Sequence, residues 1–289
     1  MLDANGETTD RWLGYTKEMF LERLAAALAD PATIAEKEAR FAARPNVADA
    51  RTLARYHDSR SEYEPAIDLY RQAGQLDPDG DYSMEILSCV YNGLRRSDAF
   101  GLDDVREAAD AVLATPRTAT TDVLRAADMM AAAAMRASEP EVMVPYLSAA
   151  FRRSDGSEDP AVQDLRQDLA PLHALYVAGD PVRAVELKRE SMPDGWLEDD
   201  GELNSFAWWC FEHRVNLDEA LELALKGVGL AEAGARKAMI LDTAAELASQ
   251  LGRNERAVEL IKQAVREEPD NSYYRDQRTR FEALLAANG

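Results

Sequence analysis

A succession of short segments with helical periodicity constrains the fold of this chain more than any other feature. Apolar residues recur every three to four positions in runs of roughly a dozen to twenty residues, and turn signals separate the runs. Alternating strand patterns are almost absent. Gly and Pro number only 15 and 12 in 289 residues, and the stretches between them are rich in Ala, Leu, Glu and Arg, which favour helix. We therefore expect an all-α fold.

Local signals set the expected helix boundaries. Asp159-Pro160 and Asp180-Pro181 each place a capping carboxylate before a proline of the first turn. Gly74, Gly179 and Gly252 mark helix ends, where a left-handed residue is easily adopted. Together the signals predict helices at 17–29, 31–43, 46–60, 62–76, 82–95, 102–114, 119–137, 140–153, 159–178, 181–191, 201–213, 217–231, 235–251, 254–267 and 271–287.

Residues 47–78 repeat a pattern that is found again further along the chain. They resemble a tetratricopeptide repeat, a pair of antiparallel helices that touch at small residues and lock with large ones. The family's packing positions are filled by Leu53, Ala54, Ala66, Tyr70, Ala73 and Pro78. His57 departs from the pattern, because the family prefers a large aromatic or aliphatic residue at that place.

Two later segments are similar to the same unit. In 241–269 the matching residues are Ala245, Gly252, Ala257, Ile261, Ala264 and Pro269, and in 203–231 they are Phe211, Leu217, Ala220 and Gly227. The motif is degraded between 81 and 200. The resemblance implies a right-handed superhelical solenoid of about seven helix pairs, with helical arrays at 17–190 and 201–289 joined by a linker at 191–200.

The first two dozen residues resemble a different family. Asn5-Gly6, a dipeptide suited to a tight hairpin turn, the run from Arg11 to Tyr15 and the helix at 18–24 look like the last hairpin and helix of a thioredoxin-like domain. The resemblance implies a fusion of thioredoxin-like and tetratricopeptide parts, with residues 1–16 as a remnant. No CxxC motif is present, so disulfide exchange by that family's mechanism is excluded for this chain. A lone hairpin is marginally stable, and residues 1–15 should be disordered or lean on the first helices.

Charge and residue inventory limit the possible functions. The 53 acidic and 33 basic residues give a formal net charge of −20, which disfavours nucleic acid and anionic membranes as partners. No apolar run approaches a membrane span and no signal peptide is visible, so we expect a cytoplasmic protein. The three histidines are scattered without metal-ligand spacing, and no catalytic motif is found. We expect no enzyme activity, cofactor or metal.

The remaining features suggest a binding surface. The register implied by the resemblance puts the first helix of each pair on a concave face, where such solenoids bind peptides. The partner-binding candidates are Arg51, Arg55, Asp58, Ser205, Trp209, Glu212, His213, Asp242 and Glu246. Trp209 has two equally weighted interpretations, a groove anchor or a cover for the adjoining helix pair.

These features lead to a predicted function and two alternatives. The leading prediction is a non-catalytic scaffold that binds a peptide or protein surface in its groove. The first alternative is a substrate-presenting region of a thioredoxin-like redox protein. The second is a self-associating structural protein.

Overall fold

The chain folds almost entirely into α-helices. The structure, a computed structural model, describes residues 1–14, 16–97 and 99–288. Within these ranges no β-strand is assigned, and the N-terminal residues form one isolated antiparallel bridge, from Leu2 to Thr8. The all-α prediction is confirmed. The predicted N-terminal hairpin is reduced to this single bridge, and Tyr15 lies outside the described residues.

The chain divides into two compact units, Met1–Leu169 and Ala170–Gly289, here called unit 1 and unit 2. The boundary does not coincide with the predicted linker at 191–200. That segment belongs to unit 2, because the ring of Trp196 packs against Phe206 with 5.1 Å between centroids. A short 3₁₀ turn, Trp196–Glu198, completes the connection. The half-buried tryptophan thus packs against the hydrophobic core of unit 2.

Unit 1 is a run of helices joined by short connections. They are α1 (Lys17–Ala29), α2 (Ile34–Ala43), α3 (Val47–Asp58), α4 (Tyr63–Leu76), α5 (Ser83–Arg96), α6 (Leu102–Ala114), α7 (Thr120–Arg136), α8 (Val144–Arg153) and α9 (Pro160–Leu172), which ends just beyond the boundary. Their starts follow capping chemistry. Thr33 and Glu36 form a reciprocal capping box at α2, and Asn46 accepts a hydrogen bond from the amide of Asp49 at α3. Each such cap stabilises a helix by about 1 kcal/mol.

Neighbouring helices of unit 1 pack as hairpins, with α3 on α4, α5 on α6 and α7 on α8. The predicted contact positions of the first repeat unit are buried: Leu53, Ala54, Ala66, Tyr70 and Ala73. Small residues at these crossings let two helix backbones approach, and large ones fill the space beside them. The Ala- and Met-rich stretch of α7 is buried in the same way, with Met130, Ala131, Ala133 and Ala134 almost inaccessible to solvent.

Unit 2 contains α10 (Pro181–Glu190), α11 (Asp200–His213), α12 (Leu217–Leu230), α13 (Ala235–Gln250), α14 (Asn254–Glu267) and α15 (Ser272–Asn288). A single helix was expected over 159–178, but the chain changes to a π-helix at His173–Val177. Pro171 precedes the change. Proline lacks an amide hydrogen and its ring crowds the preceding turn, which disrupts regular α-helical bonding.

Small residues also set the packing of unit 2. Ala220, Ala245, Ala257 and Ala264 are fully buried. A Cβ atom on Gly227 would lie 3.3 Å from the carbonyl oxygen of Asp200 and 3.4 Å from a methyl of Ile240. At Gly227, α12 therefore comes close to both α11 and α13.

Candidate functional site

Two of the three predicted residues of α3 line a groove in unit 1. Arg55 and Asp58 face it, together with side chains of α1, α5 and α7. The groove has a volume of about 700 Å³ and is here called the α3–α7 groove. Arg51 is exposed nearby, with its guanidinium carbon 6.0 Å from the ring centre of Tyr82. The first helices of successive hairpins thus share one surface within unit 1.

The lining of the α3–α7 groove is mixed in charge and carries flexible apolar side chains. Its described charged residues are four arginines and four acids: Arg23, Arg55, Arg117, Arg125, Asp58, Asp81, Glu85 and Asp122. Three half-buried methionines, Met19, Met84 and Met129, supply apolar surface. Methionine adapts its shape to different contacts. A surface of this kind suits a segment with both polar and apolar side chains.

The chain's own residues 8–13 approach the α3–α7 groove from one end. The carbonyl of Thr8 accepts a hydrogen bond from the Ile34 amide at 2.8 Å, and that of Thr9 accepts one from Nζ of the buried Lys37 at 3.0 Å. Asp10 is 3% exposed, and its Oδ2 lies 3.1 Å from Nη2 of Arg55. We call residues 8–13 the strap. Of the two alternatives expected for residues 1–15, disorder or packing on the first helices, these contacts agree with the second.

Trp12 and Leu13 of the strap also line the α3–α7 groove. The strap is non-helical, and from Asp10 to Leu13 its side chains are a carboxylate, an exposed arginine, an indole and an aliphatic group. The groove therefore already holds a short stretch of polypeptide at its Arg55 end. The side chain of Arg55 is 13% exposed and that of Asp10 is 4% exposed, so solvent screens their attraction little.

Some hydrogen-bonding capacity in the groove lining is unused. Nε of Arg23, Nε of Arg55 and Oδ1 of Asp58 are buried and have no hydrogen-bond partner. Burial lowers the pKa of Arg23, and the charge of Arg55 adds to this effect. Burial raises the pKa of Asp58, against the opposing influence of the Cys89 thiol and Arg96. A buried polar group without a hydrogen-bond partner destabilises the protein by about 1–3 kcal/mol. A ligand that supplied partners for these atoms would recover that free energy on binding.

The predicted residues of α11 lie in unit 2 and have different environments. Ser205 and Glu212 are exposed, whereas Trp209 is half-buried against the hydrophobic core. Its ring is 4.8 Å from that of His213, and Nδ1 of His213 is 2.9 Å from the Tyr176 hydroxyl. The buried face of α11 is formed by Leu203, Phe206, Ala207 and Cys210.

His213 is held as a neutral ring. Burial, with a smaller contribution from the charge of Lys188, lowers the pKa of His213 to about 4. The ring of Trp209, one turn earlier on the same helix, packs against this ring. The more exposed aromatic is Trp208, at 37%, with its ring 5.0 Å from Phe211.

The last two predicted residues are covered by α15. Asp242 is 7% exposed and accepts a hydrogen bond from the Tyr273 hydroxyl at 3.1 Å. Glu246 pairs with Arg280 and accepts a hydrogen bond from Gln277 at 3.3 Å. Asp242 and Glu246 were expected on an open concave face. They instead contact α15, because the terminal helix packs on the last hairpin where a further repeat would stack.

Sequence reasoning missed the α5 and α7 side of the groove. Glu85 and Ser88 lie three apart on α5, and Asp122, Arg125 and Met129 share one face of α7 at helical spacing. That spacing is visible in the sequence. Without a recognisable repeat motif between 81 and 200, however, nothing assigned these faces to the same side as α3.

The described part of the chain shows no grouping of metal-ligating side chains. Nor does any of its described helices combine the length and the apolar character needed to cross a membrane. Both cysteines are buried, and burial raises the thiol pKa of Cys89 and Cys210.

Comparison with known proteins finds likeness among solved structures only. No protein-family model matches the sequence, and no curated protein matches it. Among solved structures, the chain is similar to a tetratricopeptide repeat protein from Parabacteroides merdae ATCC 43184, at 11% sequence identity and a TM-score of 0.49. The alignment covers 92% of this chain and 95% of that protein.

Proposed function

We propose that this protein is a non-catalytic interaction scaffold of tetratricopeptide type and that unit 1 binds an extended peptide segment of a partner in the α3–α7 groove. The observation that carries the proposal is the strap, because it places a stretch of polypeptide with a buried carboxylate against Arg55. The right-handed solenoid of about seven helix pairs is part of the same proposal.

The strap indicates the chemistry of the ligand. A partner segment would place an acidic side chain or a terminal carboxylate on Arg55, where arginine can form two parallel hydrogen bonds. Apolar side chains following it would pack on Met84 and Met129. Because these residues project from helices, the backbone of the surface is ordered before binding, and the conformational entropy lost on the protein side is that of the side chains.

A peptide selection tests this proposal and separates the two groups of candidate residues. Random peptides of about twelve residues would be displayed on phage and selected against the full chain. Enriched peptides would then be measured by fluorescence polarisation against Ser88→Trp, which fills the α3–α7 groove, and Ser205→Trp, the same change on the exposed face of α11. Circular dichroism would confirm that both variants fold.

The outcomes are distinct. Loss of binding to Ser88→Trp with retention by Ser205→Trp supports the proposal, as does tighter binding to Asp10→Asn, which releases Arg55 from the strap. Loss of peptide binding only in Ser205→Trp would show that the peptide binds at α11 and not in the α3–α7 groove. Failure of the unmodified chain to enrich any peptide would overturn peptide binding altogether.

An exposed apolar stripe on α1 bears on both alternative functions. Leu21 and Leu28 on α1 are 52% and 72% exposed, and Ala25 between them is exposed too. Their spacing forms an apolar stripe of the kind that covers another domain. Under the redox-accessory alternative the stripe docks on a thioredoxin-like chain. Co-sedimentation with a purified thioredoxin-like domain that Leu21→Glu abolishes would support it, whereas sedimentation of the protein alone as a dimer would favour self-association.

A further inference from the structure

A second groove in unit 1 is predominantly acidic, whereas the α3–α7 groove is mixed in charge. It lies between α4 and α6, which both pack on α5, and has a volume of about 440 Å³. Its floor is apolar, with Ile67 and Val90 almost fully buried and Phe100 half-buried. We call it the α4–α6 groove. It is lined by the second helices of their hairpins and shares no residue with the α3–α7 groove.

The absence of a side chain at Gly93 shapes this floor. A Cβ atom on Gly93 would lie 2.6 Å from Cε2 of Phe100 and 3.3 Å from Cδ2 of Tyr63. The Phe100 ring can therefore lie directly on the backbone of α5. Because the ring packs against α5, it does not project into the space between α4 and α6. The groove is deeper for that reason.

The rim of the α4–α6 groove is acidic. Glu64 and Asp68 extend from α4 and Asp104 and Glu107 from α6, and all four are exposed. Arg71 is the one cation among the described lining residues, and it already lies 3.6 Å from Asp68. Asp104 also accepts a hydrogen bond from the Gly101 amide at 2.7 Å, which holds its carboxylate at the groove edge.

We propose that the α4–α6 groove binds a basic amphipathic helix of a partner protein. The apolar floor would receive one or two large aliphatic or aromatic side chains. Lysines or arginines flanking them would reach the carboxylates on both walls, and the negative rim would steer such a segment while rejecting acidic ones. The carboxylates of the rim would repel an anionic ligand. A small hydrophilic cation would make no use of the apolar floor, because it has no apolar surface to bury there.

This proposal goes beyond peptide binding in the α3–α7 groove and is independent of it. With both grooves active, unit 1 would hold an acid-bearing segment on one face and a basic segment on another. The two faces would then join two partners, or two parts of one partner, of opposite charge.

A designed peptide tests the inference directly. The probe is a fluorescein-labelled Leu/Lys amphipathic helix of about four turns, with a Leu/Glu helix of equal length as its counterpart. Fluorescence polarisation would compare the full-length chain with a Glu64→Lys, Glu107→Lys double variant. The matched control is Glu222→Lys, Glu232→Lys, which changes the net charge equally at exposed sites of unit 2.

Binding of the basic helix that weakens about tenfold or more in the groove variant, but less than about twofold in the control, is the expected result. The Leu/Glu helix should not bind, and Ser88→Trp should leave the affinity for the basic helix unchanged. Equal weakening by both double variants would show attraction to the net charge alone and would overturn the proposal. Unchanged binding to the groove variant would overturn it as well.

Discussion

Asp242 gives the sharpest quantitative prediction about the energetics of unit 2. Its carboxylate is buried under α15, where Oδ2 accepts a hydrogen bond from Tyr273 and Oδ1 has no partner. Burial raises the pKa of Asp242 from 3.8 to about 6; Tyr273 and Arg280 favour the charged form, and Glu246 opposes it. The folded state therefore holds this proton more tightly than the unfolded chain does.

The sign and size of the effect follow from this difference. Below about pH 3 the group is mostly neutral in both states and costs almost nothing. As the pH rises through about 6, the folded state must ionise a buried carboxyl, and the free energy of unfolding falls. A shift of roughly two pKa units corresponds to about 3 kcal/mol. Asp242→Asn removes the charge while an oxygen can still accept from Tyr273.

We therefore expect the free energy of unfolding of Asp242→Asn, minus that of the unmodified chain, to increase by about 3 kcal/mol between about pH 3 and pH 8. Urea unfolding followed by tryptophan fluorescence measures it, since Trp196, Trp208 and Trp209 all lie in unit 2. The pH dependence of the difference is the relevant quantity, because any packing cost of the amide is the same at each pH.

Asp200→Asn is the control of opposite sign. The hydrogen bond from Arg236 holds the pKa of Asp200 below its usual range. The ionised Asp200 stabilises the folded state at neutral pH, and this stabilisation is lost as the pH falls. The free energy of unfolding of Asp200→Asn, minus that of the unmodified chain, should therefore decrease as the pH rises. A difference for Asp242→Asn that stays constant within about 0.5 kcal/mol over the range would refute burial as the cause of the shift.

Three further predictions concern other parts of the chain. Lys37→Met should cost about 2 kcal/mol and speed tryptic cleavage after the exposed Arg11, because it removes the ammonium that donates to the Thr9 carbonyl of the strap; an unchanged cleavage rate would contradict this. Nitrogen NMR should show that the ring of His213 stays neutral down to about pH 4, and the free energy of unfolding should fall as the pH drops below 6.5. Titration of this ring near pH 6.5 would contradict its burial. Gly93→Ala should lower stability by about 1 kcal/mol despite better helix propensity, and Phe100→Leu in the same chain should remove the penalty. An equal penalty with leucine would rule out the ring as its cause.

Much of the fold was determined locally. Periodicity and capping residues placed the helices of both units to within a few residues, because a helix depends on side chains three and four apart. The small residues Ala66 and Ala257 marked helix crossings for the same reason, since only a small side chain permits a close approach. The π-helix after Leu172 was not foreseen, because a proline inside a helix can be accommodated in several ways.

The candidate site depended on contacts between distant residues, which no local pattern encodes. Arg55 could be placed on the binding side of α3 by register, but only the tertiary structure brings Asp10 to it across 45 positions. The position of Asp242 in its repeat predicts a residue that faces an open groove, but α15 covers it. Sequence by itself determined which face of each helix is polar. Tertiary structure decided which polar faces remain open, because exposure depends on what packs alongside.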